Sequence, residues 1–265
     1  MGLATLVGAT RSARAEIVDL WADIGFYTGD FGDSDFSVTA IAPSAGLRLH
    51  LGPVLGEGRL GFVTISPEEG DGATRLENPW LAGYMAGSAG PLSYRYGVGL
   101  ALPLSGADDA IDQAALGIGG ALDGFWNFWL FAPEQLGIAV PVHVEFAVPV
   151  VLTVIGEAGF GILIDTGDYA EGTEDDGLDA GLQLAGEVRI DAIPVVKPGL
   201  RLQTVIALTA EDVDDASQSS IVPYLRAAFG PAWAQLGIVL NVDDPFGFSS
   251  DFSVWGLHLS GGATI

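Results

Sequence analysis

The chain has no cysteine, only ten basic residues against thirty-four acidic ones, and no long apolar run free of proline or charge. The first absence excludes disulfides and thiolate chemistry. The second gives a formal net charge of -24 and denies the chain the basic face that nucleic acid requires. The third excludes a transmembrane helix, which needs about 18 or more consecutive apolar residues. The best stretch, 136–164, is broken by Pro141, His143, Glu145, Pro149 and Glu157. Histidine is scarce as well. No two of His50, His143 and His258 share a metal-ligand spacing, and neither G-x-S-x-G nor H-E-x-x-H occurs, so the reading is of no enzyme, no cofactor and no metal.

What remains is 49% hydrophobic residues, 38 glycines and a high net charge, a mixture that requires the charge to be segregated from the apolar surface. The segregation is by alternation. From Leu92 to Ser105, Leu92, Tyr94, Tyr96, Val98, Leu100, Leu102 and Leu104 occupy one parity, and Ser93, Arg95, Gly97, Gly99, Ala101 and Pro103 the other. A strand turns these into one apolar face and one small or polar face. The pattern recurs in twelve segments, near 17–28, 36–51, 56–66, 78–88, 92–104, 134–147, 150–165, 178–190, 198–209, 219–229, 232–242 and 252–265. It is least regular near 36, 56 and 78, where bulges are expected.

The connections alternate too. Short turns at Gly52-Pro53, Ala89-Gly90-Pro91, Ala147-Val148-Pro149, Ile193-Pro194 and Gly230-Pro231 take turns with mostly longer acidic loops such as PEEGDGATRLE from Pro67 and DTGDYAEGTEDDG from Asp165. Short turns at one end and long loops at the other predict an all-β fold: a closed up-and-down antiparallel transmembrane β-barrel of about twelve strands. Only a closed sheet satisfies every backbone group in lipid. A soluble sandwich is disfavoured by the one-sided loops.

Parity sorts the interior. Leu136, Ile138, Val140, Val142, Val144 and Phe146 oppose Gly137, His143 and Glu145, while Leu200, Leu202, Ile206 and Leu208 oppose Arg201 and Gln203. Six of the ten basic residues, Arg48, Arg59, Arg95, Arg189, Arg201 and Arg226, have lumen parity close to the short turns, with Glu145 and Glu187 at a similar height and Glu157 also inward. Two readings compete for this set: an electrostatic constriction, or charges that satisfy one another in a partly filled interior. Aromatics near strand ends, Trp80, Trp126, Trp129 and Trp255 at the loop side and Tyr94, Tyr96 and Trp233 at the turn side, suggest interfacial girdles. The connection between Ser105 and Glu134 is too apolar for a solvated loop and contains a short helix opened by Asp108 and Asp109. Residues 105–134 are expected to fold into or over the pore, with Gly97, Gly99 and Ala101 leaving room for them.

At the N-terminus a short apolar stretch precedes Ala13-Arg14-Ala15, so residues 1–15 read as the remnant of a secretory signal peptide and 16–265 as one barrel domain. Alternation, loop asymmetry and the final strand FSVWGLHLSGGATI together resemble the outer-membrane β-barrels of Gram-negative bacteria, although the chain ends in Ile265 instead of an aromatic residue. The resemblance implies an outer-membrane, porin-like channel for ions or small polar solutes. The alternatives are a plugged structural or interaction barrel displaying acidic loops and, a distant third, an outer-membrane enzyme. Expected partners are membrane lipids and lipopolysaccharide, with divalent cations at the acidic loops. No loop has an EF-hand spacing.

Overall fold

In the computed structural model the alternating segments close into one sheet; it describes residues 18–30, 37–166, 178–193, 195–209, 216–243, 247 and 254–265. The strands are β1 (Val18–Asp30), β2 (Ser37–Leu51), β3 (Val54–Pro67), β4 (Ala73–Leu76), β5 (Trp80–Ala89), β6 (Leu92–Ala101), β7 (Gln135–Val148), β8 (Leu152–Asp165), β9 (Leu178–Ile190), β10 (Val196–Ala207), β11 (Ser217–Phe229), β12 (Ala232–Asn241) and β13 (Trp255–Thr264). All but β4 are wall strands, each antiparallel to its neighbours, and β13 pairs with β1 from Asp19↔Thr264 to Phe26↔Leu257. This closes a twelve-stranded barrel. The segment 1–15 and most of the long acidic loops lie outside the described residues.

Every wall strand presents large apolar side chains outward, from Ile24 on β1 and Leu47 on β2 through Val98, Phe160 and Leu202 to Leu259 on β13, each two-fifths or more exposed. A soluble monomer rarely exposes a contiguous apolar patch beyond a few hundred Å². A belt that circles the whole molecule is a lipid-facing surface. Tyr94 and Tyr96 lie in it, stacked with ring centroids 6.5 Å apart.

Three expectations are corrected. β2, β3 and β5 contain no bulge: Ser37–Leu51 and Val54–Pro67 keep one register from Val38↔Pro67 to Leu51↔Val54. Their alternation is blurred because inward residues such as Val38, Ala40, Val63, Ile65 and Trp80 are themselves apolar, and belong to a core inside the barrel. Most of the expected girdle tryptophans also point inward. Trp80 and Trp129 are buried and stacked with centroids 5.5 Å apart, Trp126 and Trp233 lie under the guanidinium groups of Arg201 and Arg226, and Trp255 packs edge-on against Tyr27. Trp80 shares its parity with the inward Tyr84, and the absent side chain of Gly99 gives its ring a seat. The room expected at Gly97 and Gly99 is therefore filled by Tyr84 and Trp80 of the neighbouring strand. β4, a strand the twelve alternating segments do not include, is too short to show a period. It pairs with the outer half of β3, Phe62↔Leu76 to Ile65↔Ala73, above the level where β5 takes over that edge.

Candidate functional site

The connection from β6 to β7 turns into the barrel instead of out of it. After Leu102 it runs to helix α1 (Ala110–Leu122), then through a single 3-10 turn at Phe128–Leu130, and leaves at Gln135. Asp109 caps α1, its Oδ1 accepting from the amides of Ile111 (3.1 Å) and Asp112 (3.0 Å). Arg75 of β4 donates to the Asp112 carboxylate, which also accepts from the Asp108 amide at 3.1 Å. The Arg75 hydrogen bond holds that carboxyl below the usual carboxylate range. Past the helix, Gly124 adopts a left-handed conformation (φ +61°), and its bare Cα lies against Ser220 and Gln203, where a Cβ would collide.

Side chains of the wall hold this segment by its main chain. Asn241 on β12 donates to the Ala121 carbonyl (2.9 Å), a ring nitrogen of His258 on β13 lies 2.8 Å from the Leu122 carbonyl, and Gln203 on β10 donates to the Asp123 carbonyl (2.7 Å). Gln183 on β9 accepts from the Asn127 amide (2.9 Å). Gln203, Ser220 and Asn241 are direct cross-strand neighbours, so β10, β11 and β12 present one row of uncharged polar groups at a single height. Asn78, between β4 and β5, clamps both ends of the segment: Oδ1 accepts from the Ser105 amide (3.0 Å), and Nδ2 donates to the Ala132 carbonyl (2.6 Å). Buried amides that each meet a main-chain group are satisfied, and they fix geometry without charge.

Apolar packing completes the contact. Leu122, Trp129 and Leu130 are each 1% exposed and join Val63, Ile65 and Trp80 of the wall in one core. The glycines of β7, β8 and β9 make the opposite seat. Gly137 and Gly161 lie against Trp129, and Gly181 against Phe128. Helix, 3-10 turn and polar row together bring the segment against strands all round the wall at the level of the long loops.

The other half of the interior, toward the short turns, carries the charges. Arg48 donates to Glu57 (2.5 Å) and lies 3.8 Å from Asp19, which also meets His50 at 2.8 Å. Glu157 meets His143 at 2.7 Å and Arg201 at 2.5 Å, and Arg201 is 3.8 Å from Glu187, to which Tyr224 donates. Arg189 is 3.2 Å from Asp191 and 3.8 Å from Glu145. Arg59 stands apart from this belt. It reaches the end of α1, 3.4 Å from Glu77 and 3.6 Å from Asp123. Arg95 and Arg226 form no ion pair among the described residues and lie over the rings of Tyr84 (5.9 Å) and Trp233 (4.2 Å). Sequence parity finds the charged residues; it does not find Asn78 or Asn241, or give Gln183, Gln203 and His258 their task. The available signal was the row of uncharged polar groups at inward positions in the outer halves of successive strands.

In the turn after β9, burial raises the Asp191 carboxyl but is outweighed by hydrogen bonds from Lys197 (2.8 Å) and Thr153 (2.5 Å) and by the nearby Arg189, which hold it down at about 2. A depressed carboxyl contributes stability that is fully present above its unfolded value and lost as pH falls toward the folded one. Asp191→Asn is therefore expected to flatten the acid limb of barrel stability between about pH 4 and pH 2, by no more than about 1 kcal/mol for a solvent-accessible pair. The unheated-versus-heated gel shift, followed against pH, measures it; an identical acid limb in both proteins contradicts it.

The closed antiparallel wall, its circling apolar belt and its polar interior are the architecture of a bacterial outer-membrane β-barrel, here with a connection folded inside. No known family profile matches the chain, and no curated protein matches it. Solved structures do. An outer-membrane channel from Pseudomonas putida F1 superposes with a TM-score of 0.62 at 13% identity, covering 94% of this chain and 95% of that one. The NanC porin gives 0.53 at 7% identity, covering 92% and 99%, and the β domain of the Bordetella autotransporter BrkA gives 0.52 at 14%, covering 94% and 100%. At these identities the likeness is one of fold.

Proposed function

We propose that the protein is an outer-membrane channel for passive passage of ions or small polar solutes, without covalent chemistry, and that residues 102–134 act as a plug that sets its width. The observation that carries this reading is the change of character halfway along the lumen. Its outer half is packed like a protein core, whereas its inner half is lined by paired charges, with side chains such as Arg48 (19%), His50 (34%) and Glu145 (32%) still in reach of water. Charges buried in a sealed barrel cost desolvation that well-packed apolar residues avoid; beside water they cost little. A wall of paired acids and bases suits a hydrated passage. The likeness to a solved outer-membrane channel and to a porin supports the same reading, and the acidic outer loops suit divalent cations and lipopolysaccharide as partners.

The tightness of the packing around Trp129 and Leu122 favours a second reading, a permanently plugged barrel that displays acidic loops. Planar-bilayer recording separates the two. Small, discrete current steps from the purified full chain are expected; complete absence of steps at any applied potential overturns the channel reading in favour of the plugged one.

A further inference from the structure

Between the charged belt and the plug lies a cavity of about 150 Å³, walled by Trp21, Tyr84, Arg95, Trp126, His143 and Glu157 among others. Its hydrogen-bonding capacity is lopsided. Of the two acids that line it, Glu57 accepts from Arg48 on Oε2 (2.5 Å) and from Tyr84 on Oε1 (3.2 Å), and Glu157 meets Arg201 on Oε2 (2.5 Å) and His143 on Oε1 (2.7 Å). All four carboxylate oxygens are engaged. Arg201 is spent on Glu157 and on the Gln203 amide oxygen (2.8 Å), and Arg59 on the acids at the end of α1. Arg95 alone brings a guanidinium to this cavity with no acceptor among the described residues; it is held over the Tyr84 ring, which Glu57 fixes in turn. Arg226, the other unpaired arginine, does not line the cavity.

A positioned fork of N–H donors without an acceptor, beside aromatic faces, selects a planar acceptor with a flat body. We propose that this cavity is a binding site for a small planar organic carboxylate, which Arg95 grips through both oxygens while its body lies among Trp21, Tyr84 and Trp126. The volume is half or less of a drug-sized pocket, which limits the ligand to a single-ring acid or smaller. A single negative charge is favoured over a dianion such as phosphate because Glu57 and Glu157 stand nearby. The site rests on the reading of a water-filled inner lumen, but its occupation does not require current to flow.

The test is titration of benzoate into the full chain in detergent, followed by calorimetry and tryptophan fluorescence, with benzamide as the neutral analogue of the same shape. Saturable benzoate binding is expected, weakened at least about tenfold for benzamide and in Arg95→Gln, the scale of a lost charge-assisted pair. Arg226→Gln should bind as the native protein does. Heat-modifiability on gels verifies that the Arg95→Gln barrel is intact. The proposal is overturned if benzoate does not bind, or if benzamide or Arg95→Gln binds equally well. A native chain that conducts but does not bind benzoate overturns the site alone; a native chain that binds benzoate without any conductance leaves the site standing and overturns the channel reading.

Discussion

Replacing residues 108–121 by a Gly/Ser linker of the same length is expected to raise single-channel conductance severalfold while the barrel remains closed and heat-modifiable. The wall does not depend on α1: its strands pair with one another from β1 round to β13 and back to β1. The helix, by contrast, depends on what the replacement removes. It loses the Asp109 cap, worth roughly 1 kcal/mol, the Arg75–Asp112 pair, and burial of Leu116 and Ile118, each worth about 1.5–3 kcal/mol. Keeping the length avoids straining the connection to Leu122. The aromatic part from Phe125 to Phe131 stays seated on the glycines of β7 to β9, so the lumen opens on the side of β1 to β4 and not across its whole width. An unchanged conductance in a correctly folded barrel would sink the idea that this segment sets the width.

How much of this was readable beforehand differs between wall and interior, for a physical reason. Each wall strand faces two solvents, lipid outside and water or polar groups inside, so Leu202 beside Arg201 or Val144 beside His143 writes its environment into a period of two. All twelve wall strands were visible for that reason, with ends shifted by a few residues. Where the inward solvent is a protein core the contrast disappears. Ala40, Val63 and Trp80 face the plug, and there alternation faded into suspected bulges and a suspected girdle of tryptophans. The inward course of residues 105–134 was suggested by their composition, since an apolar connection must be buried somewhere. Its fastening was not, because a bond from Asn241 to a carbonyl 120 positions away leaves no periodic trace. The six lumen arginines were identified by parity, but parity could not separate Arg59, which reaches the helix end, from Arg48 and Arg201, which pair along the wall.

His258→Phe is expected to loosen the plug and to abolish much of the pH dependence of channel opening. The imidazole spans from wall to plug, with Nδ1 3.0 Å from Asp23 Oδ2 and Nε2 2.8 Å from the Leu122 carbonyl oxygen. A carbonyl accepts only, and an ionised carboxylate does the same, so the ring satisfies both by donating from both nitrogens as an imidazolium. Its cross-strand partner is Gly25, which leaves the ring its place. The other charge acting on it is that of Asp123 on the plug, which is itself tied to Arg59 of β3. As pH rises far enough to remove one proton, one nitrogen turns a lone pair toward an acceptor, and the contact weakens; the hold is therefore strongest while the ring carries both protons. Phenylalanine keeps the ring and removes both donors, leaving the Leu122 carbonyl short of a partner at a cost of about 1–3 kcal/mol, or a 5–150-fold rise in the ratio of open to closed channels. Open probability recorded against pH measures this. The native protein should open more as pH rises, and Asp23→Asn should show a weakened version of the same response. His258→Phe should open often at every pH. A pH response that persists unchanged in His258→Phe would locate the titrating group elsewhere and reject the latch.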